Sequence, residues 1–244
     1  MKKTCKRLII IPAYNEESNI IETCKTINEF VQSNNLVYDY LVINDGSTDK
    51  TENLLNKNQI PHVKLPYNMG IGSAVQTGYK YAYLNNYDIA IQFDGDGQHD
   101  ISYIEEIIKP IEENIADYVI GSRFVKKSKS KFKSSKSRRI GIKLLSLIMK
   151  ILNRIEIKDI TSGFRAANKK TIKLFANNYP NEYPEPIAPI KALKNNLKIY
   201  EIPVEMHERN GGKSSINTWK SLYYMINVSL SMITETIGGW KHEY

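Results

Sequence analysis

The densest chemistry in this 244-residue sequence lies at Asp94-Gly95-Asp96-Gly97-Gln98-His99-Asp100. Alternate side chains of an extended segment share one side, so Asp94, Asp96 and Gln98 are expected to present three oxygen ligands together. Hard oxygen donors suit magnesium or manganese, and such an ion bridges protein carboxylates to a diphosphate. The two glycines let backbone approach a ligand closely. A calcium loop or a plain acidic turn is the rival reading, but the short segment and the preceding buried run Ile89-Ala90-Ile91-Gln92-Phe93 disfavour an EF-hand.

Two further polar clusters follow short apolar runs. Pro12-Ala13-Tyr14-Asn15-Glu16 and Asn44-Asp45-Gly46-Ser47-Thr48-Asp49 each place a carboxylate and hydrogen-bonding groups where a base and ribose could be held. Singly each is also an ordinary turn, with Ser47 or Thr48 capping the next helix. Asp159 and Glu185 are candidate general bases if the acceptor is a hydroxyl, with Asp100 a weaker one. Their bland readings are a helix or turn cap for Asp159 and a rigid exposed loop for Glu185, which sits in Tyr183-Pro184-Glu185-Pro186. Cys5 and Cys24 have no metal-ligand rhythm and fit reduced, cytosolic thiols.

Short apolar runs alternating with helical patterns must position these groups, which predicts a parallel sheet flanked by helices. Strands are expected at 8–11, 40–43, 62–65, 89–93, 118–120 and 197–202. Ile20, Cys24, Ile27 and Val31 fall on one helix stripe, capped near Ser18, and Ile71, Ala74, Val75, Gly78 and Ala82 fall on another. Open α/β sheets bind ligands at the carboxyl ends of their strands, where the polar clusters lie. Residues 122–137 read as a Lys/Ser-rich loop or lid, followed by a basic apolar helix over 138–154 and a last helix over 217–237. The four-residue apolar run 8–11, ended by Pro12, is too short for a signal-peptide core and reads as a buried strand.

Taken together, these motifs resemble the inverting glycosyltransferases of family 2 with the GT-A fold, and among them the dolichol- or polyprenyl-phosphate sugar synthases. The resemblance is carried in order by residues 12–16, 44–49, Asn68-Met69-Gly70-Ile71-Gly72, 94–100, Gly121-Ser122-Arg123, Thr161-Ser162-Gly163-Phe164-Arg165 and 209–215. It implies an α/β fold, a single Rossmann-like mostly parallel sheet with amphipathic C-terminal helices, divided into a catalytic domain over 1–215 and a C-terminal helix over 216–244. It also implies a nucleotide-diphosphate sugar as donor and a polyprenyl phosphate or lipid-linked acceptor, in cell-envelope glycan synthesis. Pro12, Tyr14, Glu16, Asp45, Gly70 and Gly95 would line the nucleotide-sugar pocket, with Ile43 packed beside the base. Asp94 and Asp96 match the DXD element and Gln98 the further ligand for Mg2+ or Mn2+. Arg123, Arg138 or Arg139, Arg209 and Lys213 would neutralise donor and acceptor phosphates. Asn44 stands where many members carry a second acid.

The composition, with 41% hydrophobic and 25% charged residues, is that of a folded globular chain. The net charge of +8 comes mainly from Lys126, Lys127, Lys129, Lys131, Lys133, Lys136, Arg138 and Arg139, with no acid among them. That run is read either as a solvated loop or as a contact for an anionic membrane surface. In the last helix, the uncharged stretch 221–234 has fourteen residues, short of the roughly 20 needed to span a bilayer. Trp219, Leu222, Tyr223, Ile226, Leu230, Ile233 and Ile237 form an apolar stripe that Met225, Val228 and Met232 widen. The helix is therefore a buried core helix, an interfacial helix or a dock for a small integral membrane protein. The expected location is cytoplasmic, peripheral on the inner face of the cell membrane. Two other functions stay open: the same chemistry on a soluble or protein-bound acceptor, and a non-catalytic nucleotide- or nucleic-acid-binding module. Nucleic acid is disfavoured, since only Phe132 interleaves the basic run.

Overall fold

In the computed structural model, residues 5–125, 136–207 and 218–238 are described, without the side chains of 136–138 and 218–222. The Lys-rich segment 126–135, Arg209 and Lys213 lie outside the described residues, as does the side chain of Arg138.

The strands are β1 (Arg7–Ala13), β2 (Asp39–Asn44), β3 (His62–Lys64), β4 (Ile89–Gln92), β5 (Tyr118–Ser122), β6 (Arg165–Asn168) and β7 (Ile199–Pro203). They form one sheet in the order β3-β2-β1-β4-β6-β5-β7. Every pairing is parallel except those of β6, which runs antiparallel to both β4 and β5. The sheet is thus mostly parallel, as expected, with one reversed strand that the apolar pattern does not reveal.

Alternation along each buried strand feeds two cores, one on each face. Leu8, Ile10, Leu41, Ile43 and Ala90 point to one face. There α3 (Ile71–Leu84), α5 (Lys136–Asn153), α6 (Lys169–Asn178), α7 (Pro184–Lys194) and α8 (Thr218–Gly238) contribute the covering residues. Ile9, Ile11, Val42, Ile89 and Ile91 point to the other, beneath α1 (Ile20–Ser33), α2 (Thr51–Lys57) and α4 (Ile104–Glu112).

Three expectations are corrected. α1 is preceded by Asn19, with no side-chain cap, so Ser18 does not start it. Likewise α2 is preceded by Lys50, and neither Ser47 nor Thr48 caps it. Residues 184–194 are a helix with Pro184 in its first turn, where a missing N–H costs nothing, so Glu185 is not on an exposed loop. α8 packs on the sheet, with Val228 and Met232 fully buried in the core.

Candidate active site

The carboxyl ends of β2, β1 and β4 lie side by side, and their turns enclose a cavity of about 360 Å³. Pro12, Tyr14, Glu16, Asp45, Gly70, Asp94, Gly95, Asp96 and Glu185 all line it.

The first two turns hold each other. The Asn15 main-chain N–H donates to Ser47 Oγ at 3.0 Å, and Asn15 Oδ1 accepts from the Thr48 N–H at 2.8 Å. Glu16 N–H donates to Thr51 Oγ1 at 3.0 Å, and Glu17 N–H to Asp49 Oδ2 at 3.1 Å. Ser47, Thr48 and Asp49 therefore brace the first turn. Asp45 is buried, and its two oxygens accept from the N–H groups of Met69 at 2.8 Å and Gly70 at 2.9 Å. That draws residues 68–70 over the cavity and aims the first turn of α3, through Gly70, Ile71 and Ala74, into it. Ile43, at the end of β2, is fully buried in the core.

The acidic motif is a turn rather than an extended segment. β4 ends at Gln92, Gly97 has a φ of +75°, and the Gln98 N–H donates to Asp96 Oδ1 at 3.0 Å. Asp94 and Asp96 line the cavity, and Gln98 follows them in the same turn. Burial pushes the Asp94 carboxyl up, but His99, Gln92 and Arg165 outweigh it and hold it below the usual carboxylate range.

Arg165 received no role from the sequence, yet it knits the floor of the site. Fully buried, it donates to the carbonyls of Ser162 (2.7 Å), Ile160 (3.0 Å) and Glu185 (2.7 Å), and to the Tyr118 hydroxyl at 2.8 Å. It thereby fixes the start of α7, from which Glu185 faces the cavity. Burial pushes the Glu185 carboxyl up; the Arg165 charge opposes that and Asp94 adds to it. The available signal was an arginine inside an otherwise small and apolar run at 163–167.

Arg123 and Asp159 come together, but away from the cavity wall. The guanidinium donates to Asp159 Oδ2 and Oδ1, each at 2.7 Å, and Glu201 accepts the N–H groups of Lys158 at 2.8 Å and Asp159 at 2.9 Å. Asp159 is fully buried and committed to this pair, so it is not presented as a base. Arg123 and Arg139 both approach the Phe124 ring, at 5.3 and 5.9 Å from its centroid, which gathers two of the expected phosphate-binding arginines.

A cleft at the carboxyl ends of a mostly parallel sheet is where open α/β folds bind their ligands. The chain belongs to glycosyl transferase family 2, whose model matches residues 8–175. It is 34% identical over 218 residues to the UDP-N-acetylglucosamine–dolichyl-phosphate N-acetylglucosaminyltransferase of Methanococcus voltae, covering 81% of this chain and 84% of that protein. It is 31% identical over 228 residues to a dolichyl-phosphate beta-glucosyltransferase of Trichomonas vaginalis, covering 85% of this chain and 68% of that one. In fold it is similar to glucosyl-3-phosphoglycerate synthase of Mycobacterium tuberculosis, crystallised with Mn2+, UDP and glucosyl-3-phosphoglycerate. The TM-score is 0.70 at 16% identity, over 96% of this chain and 81% of that chain.

Proposed function

We propose that this glycosyltransferase moves a sugar from a nucleoside diphosphate donor to a polyprenyl phosphate at the inner face of the cell membrane, with Mg2+ or Mn2+ as cofactor. The carrying observation is charge. Glu16, Asp45, Asp94, Asp96 and Glu185 line the cavity, and among the described residues no Lys or Arg does. A diphosphate enters such a site only with a cation between it and the carboxylates. Magnesium characteristically takes one or two carboxylates and completes its shell with phosphate and water, which fits Asp94 and Asp96. When bound, the ion supplies charge neutralisation of the leaving diphosphate.

Pro12, Tyr14, Glu16, Asp45 and Gly70 form the end of the cavity assigned to the nucleoside. Glu185, which lines the cavity within reach of the Asp94 charge, is assigned to the sugar. A phosphate acceptor is already an anionic nucleophile and needs no strong base, in keeping with the engagement of Asp159 by Arg123. The printed activities of the two relatives, both on dolichyl phosphate, support this acceptor class.

Membrane attachment is supported by two helix faces. Among the described residues no helix is long and apolar enough to cross a membrane. On α5, Ile140, Leu144, Leu147 and Ile151 are exposed, and on α8, Tyr223, Ile226, Leu230 and Ile237 are exposed. The two helices pack together, with Gly141 against Met225 and Asn153 donating to Thr236 Oγ1 at 3.3 Å.

The test is a panel of UDP- and GDP-sugars, each with Mg2+ or Mn2+, incubated with a short-chain polyprenyl phosphate. Transfer from one donor class is expected, with Asp96→Ala folded and about 10²–10³-fold slower, the loss typical of a preorganised charge-stabilising group. No transfer with any donor, or full activity of Asp96→Ala in chelator, refutes the assignment.

A further inference from the structure

Asp94 is one of two carboxylates assigned to the ion, and its orientation is set from outside the cavity. His99 Nε2 lies 3.0 Å from Asp94 Oδ2. An ionised carboxylate only accepts, so the ring nitrogen facing it carries the proton. The second ring nitrogen, Nδ1, is buried with no hydrogen-bond partner. The ring itself is clamped, stacked on Phe164 at 5.3 Å and 26° and edge-on to Phe93 at 5.4 Å and 66°. Its backbone is pinned as well, by a bridge to Met206 and by the His207 N–H donating to the Gln98 carbonyl at 2.8 Å. Beside the same carboxylate lies Gly163, where a Cβ would fall 2.3 Å from Asp94 Oδ2. Oδ2 is therefore enclosed by an imidazole N–H and by a backbone position that admits no side chain.

We propose that His99 is a positioning residue for the metal site: its Nε2–H fixes Asp94 in the orientation that presents the carboxylate to the cavity. It is neither a metal ligand nor a base. The inference rests on the divalent-ion assignment above. Hydrogen-bond partners of ligating groups commonly govern metal affinity, and removing one typically costs 10–100-fold.

His99→Phe keeps an aromatic ring between Phe93 and Phe164 and deletes the donor. Mn2+ binding to the full chain, measured by calorimetry and electron paramagnetic resonance with UDP or GDP present, should weaken by about 10–100-fold in this variant. Its melting temperature should be retained, and turnover should recover as Mn2+ is raised. His99→Gln, which restores an N–H, should regain part of the affinity. Wild-type Mn2+ affinity in folded His99→Phe overturns the proposal. Should His99→Phe not fold, His99→Gln and His99→Leu, compared for Mn2+ affinity, decide. Parallel loss of melting temperature and affinity, not relieved in His99→Gln, marks a purely structural ring and also overturns it. Wild-type protein that binds no Mn2+ with either nucleotide overturns the ion assignment instead.

Discussion

Arg123 grips Asp159 through two parallel bonds, Nε to Oδ2 and Nη2 to Oδ1, each 2.7 Å long, while its own main-chain N–H adds a third to Oδ2 at 2.9 Å. The two side chains are 6% and 0% exposed. Removing one partner of such a buried pair strands the other charge and costs about 3–5 kcal/mol. Arg123→Ala and Asp159→Ala should each lose that much unfolding free energy in urea titrations, and the double variant should lose less than the sum. An Asp159→Asn protein of wild-type stability with abolished turnover would instead reinstate Asp159 as a base.

Much of the sheet was legible because buried parallel strands are short apolar runs with polar clusters at their ends, and five such runs match β1 to β5. β6 escaped because Arg165-Ala166-Ala167-Asn168 has no β-branched residue and carries its burial through hydrogen bonds to the guanidinium. The prolines at 184, 186 and 189 look like loop in the sequence, yet two of them occupy the first turn of a helix. Asp94, Asp96, Asp45 and Glu16 were identifiable at the strand ends by type and place. The turn at Gly97, with its positive φ, could not be seen from alternation. The Arg123–Asp159 pair joins residues 36 apart in sequence, a distance across which no local pattern reports contact.

Asn44 marks a point where an amide is required. Its side chain, fully buried, donates to Glu52 Oε2 at 2.5 Å and accepts from the Ser47 N–H at 3.0 Å. Aspartate would keep the second bond and set two carboxylates against each other. Asn44→Asp should therefore destabilise the protein by about 1–3 kcal/mol at pH 7, the cost of a buried group deprived of its partner. The deficit should shrink as pH falls into the carboxyl range, where one of the pair takes a proton. Adding Glu52→Gln should restore the bond from the other side. Thermal unfolding of the single and double variants reads this, and an undiminished melting temperature in Asn44→Asp contradicts it.

Glu185 gives a pH signature of the cavity. Its carboxyl is raised in the folded protein, chiefly by burial. The folded state thus holds the proton more tightly than the unfolded chain, whose glutamate titrates near about 4.3. Stability from this group is fully present below that value and is lost as pH rises through the higher folded value. Glutamine has no proton to lose. In chelated buffer, the stability of Glu185→Gln relative to wild type should climb from about pH 4 upward and level off above the folded value. Two parallel stability profiles would show that the cavity does not perturb this group.

The two faces of α8 separate folding from attachment. Val228 and Met232 are fully buried in the sheet core, while Tyr223, Ile226, Leu230 and Ile237 are each more than half exposed. The widened stripe in the sequence is thus a core face and an outer apolar face side by side. Glutamate at Val228 buries a charge and should destabilise by more than about 3 kcal/mol, whereas Leu230→Glu should stay within about 0.5 kcal/mol of wild type. Attachment should respond in the opposite sense. Apolar burial contributes roughly 25 cal/mol per Å² and is little affected by salt. Each basic residue near an anionic surface contributes about 1 kcal/mol and is screened. The run from Lys126 to Arg139 carries eight such charges. Wild-type protein should co-sediment with phosphatidylserine-containing vesicles at low salt, and replacing six of those lysines and arginines by glutamine should abolish the salt-sensitive part. Leu230→Ser should weaken binding about equally at low and high salt, and Ile140→Ser on α5 should do the same. If wild-type protein stays in the supernatant at low salt, lipid does not cover these faces, and an integral membrane partner becomes the occupant to seek.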